Sequence, residues 1–275
     1  MTASTFTVVT PCFNAAALIG PTIESILGQR AIRSSRVKLQ YIVCDGGSSD
    51  GTQDLVRKMC GDSALLISEP DAGMYDALAK GLRLATGDIV SYLNAGDLYF
   101  PSAFDVVGDV IDGRRVSWLT GVNVAFNHRY EIFETVLPHR YRRDFIRKGI
   151  YGRIIRFIQQ ESTFWSRELL QTVDLEKLAS LRLAGDFYLW TCFARAADLY
   201  IVDSLLGGFT YHPGQKSENF AAYLQEFDSI REPYGWRDWL LARIDERLWD
   251  LPFLWKKRVN PRFLLRYDRA KAIWE

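Results

Sequence analysis

Four polar clusters in this chain carry residue types that can hold a ligand, and each directly follows a short apolar run. The first is Thr10-Pro11-Cys12-Phe13-Asn14. The second is Asp45-Gly46-Gly47-Ser48-Ser49-Asp50-Gly51-Thr52. Glycines there let the backbone come close to a ligand, and a carboxylate such as Asp45 can accept from a base N–H or from ribose hydroxyls. The same stretch also reads as an ordinary strand-to-helix turn with Asp50 as its N-cap. The third cluster is Glu69-Pro70-Asp71-Ala72-Gly73-Met74-Tyr75-Asp76-Ala77, and the fourth is Leu93-Asn94-Ala95-Gly96-Asp97. A lone aspartate after a strand is most often a turn former. The order of the clusters says more than any one of them.

The elements that must position these clusters follow from periodicity. Phe6 to Thr10, Leu39 to Cys44, Ala64 to Ser68 and Asp88 to Leu93 read as strands. Between them lie helical patterns: Leu18 to Leu27 with Pro21 in the first turn, Thr52 to Cys60, and Met74 to Ala85. Strands alternating with short helices predict an α/β fold with a mostly parallel sheet flanked by helices, and such sheets bind ligands at the carboxyl ends of their strands. Beyond Pro101 the pattern loosens. Ser117 to Phe126 and Tyr130 to Val136 can pair as a hairpin, Phe187 to Ala197 is an apolar helix, and Leu199 to Val202 is strand-like. From Tyr234 the chain is helical in character and basic, and it holds five of the eight tryptophans. The expected division is a main domain over 1–220 and a helical C-terminal extension over 221–275.

With its motifs read together, the chain resembles the family 2 glycosyltransferases, whose nucleotide-diphospho-sugar fold is called GT-A. Thr7 to Asn14, Tyr41 to Thr52 and Asp71 to Asn94 match that family in residue type, order and spacing. So do Gln159 to Trp165, Gly185-Asp186-Phe187-Tyr188-Leu189-Trp190, and Tyr211-His212-Pro213-Gly214. The resemblance implies a Rossmann-like GT-A sheet and inverting transfer of a sugar from a nucleotide-sugar donor, by default a UDP-sugar, onto an acceptor hydroxyl. It implies Asp186 as the base, with the alternative that this residue only caps its helix. It implies donor contacts from Pro11, Phe13, Asn14, Asp45, Asp71, Asn94, Ala95 and Gly96, with Phe13 against the nucleobase. Gln160 and Trp190 fall on the acceptor side. A diphosphate leaving group calls for Mn²⁺ or Mg²⁺. Asp97 matches the last acid of the family's Asp-x-Asp motif, and His212 is the candidate second metal ligand. The sequence departs from the family at Asn94 and Gly96, where many relatives carry acids.

Two segments interleave cations with aromatic residues. Arg140 to Arg156 holds seven Lys or Arg against the single Asp144, and the C-terminal tail repeats the pattern around Trp249 to Arg266. Either they are amphipathic helices packed on the domain, or they touch an anionic membrane surface, which would suit a lipid-linked or growing saccharide acceptor in surface-polysaccharide synthesis. A formal net charge of +1 and the lack of a recognised motif argue against nucleic acid. The four cysteines are not at metal-ligand spacing and read as buried thiols. With no secretory signal at Met1 to Thr7 and no apolar run of ~18 residues, the expectation is a cytoplasmic protein, with the inner face of the cell membrane as its possible station. Three other readings stay open: a nucleotidyltransferase, which usually carries a Gly- and Lys-rich signature after its first strand; a catalytically silent nucleotide-sugar-binding protein; and a membrane-associated scaffold.

Overall fold

The computed structural model describes residues 4–114, 116–211 and 220–275. Its strands are β1 (Thr5–Cys12), β2 (Lys38–Asp45), β3 (Ala64–Ser68), β4 (Ile89–Tyr92), β5 (Leu98–Tyr99), β6 (Trp118–Thr120), β7 (Asn123–Phe126), β8 (Ile132–Val136), β9 (Thr163–Ser166), β10 (Tyr200–Val202), β11 (Gly207–Thr210), β12 (Leu264–Leu265), β13 (Tyr267–Asp268) and β14 (Ile273–Trp274). Its helices are α1 (Ile19–Leu27), α2 (Arg30–Arg33), α3 (Thr52–Cys60), α4 (Met74–Arg83), α5 (Ala103–Arg114), α6 (Arg143–Arg147), α7 (Ile150–Arg153), α8 (Leu175–Ser180), α9 (Gly185–Ala196), α10 (Phe220–Ile230), α11 (Trp236–Leu248) and α12 (Phe253–Val259).

Residues Phe6 to Cys12 are all buried, so β1 needs a partner on each edge and cover on each face. It pairs in parallel with β2 on one side and β4 on the other. The full sheet runs β12-β10-β6-β9-β4-β1-β2-β3. All its pairings are parallel except those of β9, which is antiparallel to both β4 and β6. Apolar clusters pack on both faces of the sheet. On one face α4 lies close to β1 because residue 81 is glycine: a Cβ there would stand 2.4 Å from Val9 Cγ1. A smaller sheet, β5-β11-β7-β8, stands beside the carboxyl ends of the main strands. The expected α/β architecture is therefore the observed one.

Three details differ from expectation. The pairing of β1 continues past Thr10 to Cys12 against Asp45, so Pro11 and Cys12 belong to the strand. Only Asn123 to Phe126 forms the hairpin with β8, because Trp118 to Thr120 peels away to join the main sheet as β6. The C-terminal extension is mixed: three helices, a short β13–β14 hairpin, and β12 paired with β10 at the edge of the central sheet.

Of the two readings of the segment Arg140 to Arg156, the structure follows the packed one. Its apolar members Tyr141, Phe145, Ile146, Ile150 and Tyr151 are buried in the core. Its cations are engaged by the protein itself. Arg142 forms a two-bond pair with the buried Asp245 at 2.5 and 3.0 Å, Lys148 meets Asp238 at 2.7 Å, and Arg147, Arg153 and Arg156 pair with Glu232, Asp228 and Glu134. This segment is the seat of the C-terminal helices and has no apolar face left for a membrane. All four cysteines are buried free thiols, as expected. Among the described residues no helix is long and apolar enough to cross a membrane.

Candidate active site

A cleft of about 460 Å³ opens at the carboxyl ends of β1 and β4, where the sheet order turns outward from β1 in both directions. Pro11, Phe13, Asn14, Asp71, Asn94, Ala95, Asp97, Gln160 and Asp186 all line it. The turn after β1 and the glycine-rich turn after β2 are stitched together. Asn14 takes a left-handed φ of 47°, its amide donates to Ser48 Oγ at 2.7 Å, and its Oδ1 accepts from the Ser49 amide at 3.0 Å. Asp50 accepts from the Ala16 and Thr52 amides, so it ties the first turn to the start of α3. Phe13 is left 62% exposed at the cleft mouth, its ring free to lie against a planar ligand.

Asp45 departs from its expected place. Its carboxylate is buried and accepts from Ser48, from Ser68 Oγ at 2.7 Å, from the Gly47 amide and from Gln53. These bonds outweigh burial and hold its carboxyl below the usual range. Asp45 organises the glycine-rich turn and does not line the cleft. Asp71 does, resting on Gly46, where a Cβ would stand 2.5 Å from Asp71 Oδ2. Gly96 also serves the backbone, with φ 106° and its amide bonded to Thr22 Oγ1.

The acidic centre of the cleft holds one residue that the sequence did not single out. Because β9 runs against its neighbours, the residues just before it, Gln160 and Glu161, arrive beside the residues that follow β4. Gln160 donates to the Tyr92 carbonyl at 2.5 Å and accepts from Asn94 at 3.3 Å. Asp97 accepts from the Thr210 amide at 2.8 Å. Burial first, then the charge of Glu161, pushes Asp97 well above the usual carboxylate range. Burial first, then the charge of Asp186, pushes Glu161 up to about 7. The side-chain oxygen of Asn94 is buried without a hydrogen-bond partner. Two mutually repelling carboxylates and a partnerless amide oxygen make an oxygen-donor set that suits a hard divalent cation. Among the described residues no group of three acidic, His or Cys side chains gathers, so water or ligand oxygens would complete the shell. His212 lies outside the described residues.

Asp186 stands in the first turn of α9 and lines both this cleft and an adjoining groove bordered by Asn123, Gln159, Phe157, Tyr211 and Phe220. It accepts from the Phe187 amide at 2.7 Å and from the Tyr75 hydroxyl at 3.3 Å. Burial, only partly offset by those bonds, pushes it up to about 6. Tyr75 comes this near because residue 185 is glycine: a Cβ there would stand 2.4 Å from the tyrosine ring. Trp190, one turn further on, is 2% exposed and packed against Trp118 and Trp165 at 5.7 and 5.9 Å. It is a core residue under the site and not part of the groove. Arg182, Tyr223 and Phe209 join the lining without having been anticipated.

Comparison with known proteins gives this site a family. Residues 7–172, more than half of the chain, match the family model for glycosyl transferase family 2, and the chain belongs to that family. An uncharacterized glycosyltransferase of Mycobacterium tuberculosis is 35% identical over 113 residues, which is 40% of this chain and 40% of that protein. A PGL/p-HBAD biosynthesis glycosyltransferase of Mycobacterium bovis is 31% identical over 56% of this chain and 63% of its own length. The chain thus spans less than two thirds of each of these two relatives. Among solved structures, Staphylococcus aureus TarS 1-349 in complex with UDP-GlcNAc aligns with a TM-score of 0.61 at 16% identity, covering 94% of this chain and 71% of that one. The mannosyltransferase PcManGT from Pyrobaculum calidifontis, in complex with GDP-Man and Mn²⁺, aligns with a TM-score of 0.59 at 22% identity, over 91% and 71% of the two chains. At these identities the likeness is one of fold, the GT-A fold.

Proposed function

We propose that the protein is an inverting glycosyltransferase that moves a sugar from a nucleotide-sugar donor, a UDP-sugar first among candidates, onto an acceptor hydroxyl. The observation that carries this reading is the place of Asp186. It is a half-buried carboxylate that lines both the cleft, which opens at the ends of β1 and β4, and a second, adjoining groove. The donor occupies the cleft, with its base over Phe13 and its diphosphate toward Asp97, Glu161 and Arg182. The acceptor enters along the groove, and Asp186 takes the proton from its hydroxyl at a reach of ~3 Å. Gln160, bonded to both Tyr92 and Asn94, holds the wall between the two substrates. Asp97 and Glu161 would hold Mn²⁺ or Mg²⁺, which would supply positive charge against the negative charge of the departing diphosphate.

The acceptor we favour is a lipid-linked saccharide presented at an anionic membrane. Support comes from α11 and α12, where Trp236, Trp239, Leu240, Ile244, Leu254 and Trp255 face solvent. Arg237, Arg243, Arg247 and Arg258 lie exposed among them. Cations beside exposed Trp and Leu suit the headgroup region.

Release of nucleoside diphosphate from a panel of UDP-, GDP- and dTDP-sugars, with Mn²⁺ and with chelator, tests the reading. Metal-dependent release from one donor is expected. Asp186→Asn should lose about 1000-fold in transfer while still binding UDP. Absence of both donor binding and release would leave a silent fold and end the enzyme reading.

A further inference from the structure

The turn that carries Asp186 is held from outside the family match, by a carboxylate of α10. Glu226 accepts from three successive backbone amides: Arg182 at 2.9 Å on Oε1, and Leu183 at 2.7 Å and Ala184 at 2.6 Å on Oε2. On the opposite side the Tyr75 hydroxyl donates to the Leu183 carbonyl at 3.1 Å and also reaches Asp186. The turn is gripped by its amides and by its carbonyl, immediately before the helix that bears Asp186. Glu226 in turn is seated by its neighbours. Phe227 stacks on Phe187 with ring centroids 3.8 Å apart, and Asp228 pairs with Arg153 and Arg231. A carboxylate that accepts three amides fixes a turn far more tightly than water does. Arg182, Leu183 and Asp186 of this stretch all line the cleft.

We propose that Glu226 is a positioning residue for the transfer reaction, setting the 182–186 turn so that Asp186 and Arg182 face the two substrates together. The proposal rests on Asp186 being the base. It makes α10 part of the active site, although α10 lies beyond residue 172, where the family match ends. It also gives Glu226 an electrostatic role. The ionisable groups facing Asp186 are Tyr75 from α4, Tyr92 from β4, Glu161 before β9, and Tyr223 and Glu226 from α10. Of these, Glu226 adds its negative charge to the burial that already favours the protonated form of Asp186.

The test compares wild type with Glu226→Gln, Glu226→Asp and Asp186→Asn on the nucleotide-sugar that gives the fastest release. Hydrogen exchange is followed in the peptide spanning residues 182–186. Glu226→Gln is isosteric and keeps one acceptor oxygen, so the fold should survive. The expected result is faster exchange in that peptide, kcat lowered by about 100-fold, and a several-fold higher donor KM. The acid limb of the kcat/KM profile should move to lower pH, because a negative charge beside Asp186 has gone. Glu226→Asp restores the charge on a shorter arm, so the acid limb should return toward wild type while kcat stays low. If Glu226→Gln loosens the peptide or lowers the melting temperature but leaves kcat and the acid limb unchanged, Glu226 is a structural staple only and the proposal is overturned. If Asp186→Asn keeps full transfer, the assignment of the base has failed instead, whatever Glu226 does.

Discussion

Asp186 and Glu161 are both raised toward neutrality, chiefly by burial, yet the consequences for activity differ if Asp186 is the base we propose and Glu161 a metal ligand, where proton and cation compete. A base must be deprotonated to accept a proton. Since Asp186 is raised to about 6, kcat/KM should climb as pH rises through about 6 and fall away on the acid side. A profile flat from pH 5 to 8 would remove Asp186 from the chemistry. Glu161, raised to about 7, carries a proton through much of that range unless a cation displaces it. Calorimetry with Mn²⁺ alone should therefore show affinity increasing from pH 6 to 8 with proton release. Glu161→Gln should weaken Mn²⁺ by at least about tenfold and remove that pH dependence. Equal Mn²⁺ affinity in the variant would place the ion elsewhere.

At the level of elements, one of the links that bind the tail to the domain is the ion pair of Arg142 and Asp245. Asp245 is 3% exposed, so Arg142→Ala would strand a buried carboxylate. We expect a loss of about 3 kcal/mol in urea unfolding, with much of it recovered in a double variant carrying apolar residues at both positions. A loss under about 0.5 kcal/mol would mean that the pair behaves like a surface one. The β-α alternation of the first hundred residues was legible because buried parallel strands are uninterrupted apolar runs and their helices keep a 3.6-residue period. Nothing comparable marks β9, whose four residues read the same in either direction, so the arrival of Glu161 beside Asp97 could not be seen. Its only trace was an acid lying within the Gln159 to Trp165 motif. Trp190 misled for a related reason: motif spacing gives proximity to Asp186 along α9, but which face of a helix is buried depends on Trp118 and Trp165, far away in sequence. Asp45 was misplaced because a carboxylate after a strand looks the same whether it binds a ligand or its own turn.

Across the whole molecule, the exposed tryptophans and arginines of α11 and α12 lie on the outside of a tail whose inner face is occupied by Arg142, Lys148 and their acidic partners. Vesicles containing phosphatidylglycerol should sediment with the protein at low salt. Trp239→Ala combined with Trp255→Ala should reduce the bound fraction about tenfold, and high salt should weaken what remains. No sedimentation with anionic vesicles would leave this face without a lipid role. The edge of the central sheet has its own implication, for how the chain is made. Strand β10 presents an open hydrogen-bonding edge until β12 covers it, and β12 is translated only after α10, α11 and α12. While the nascent chain emerges from the ribosome, that edge is a place where another unfinished chain can pair. Premature termination within α11 or α12 should then yield aggregates rather than a shorter working enzyme.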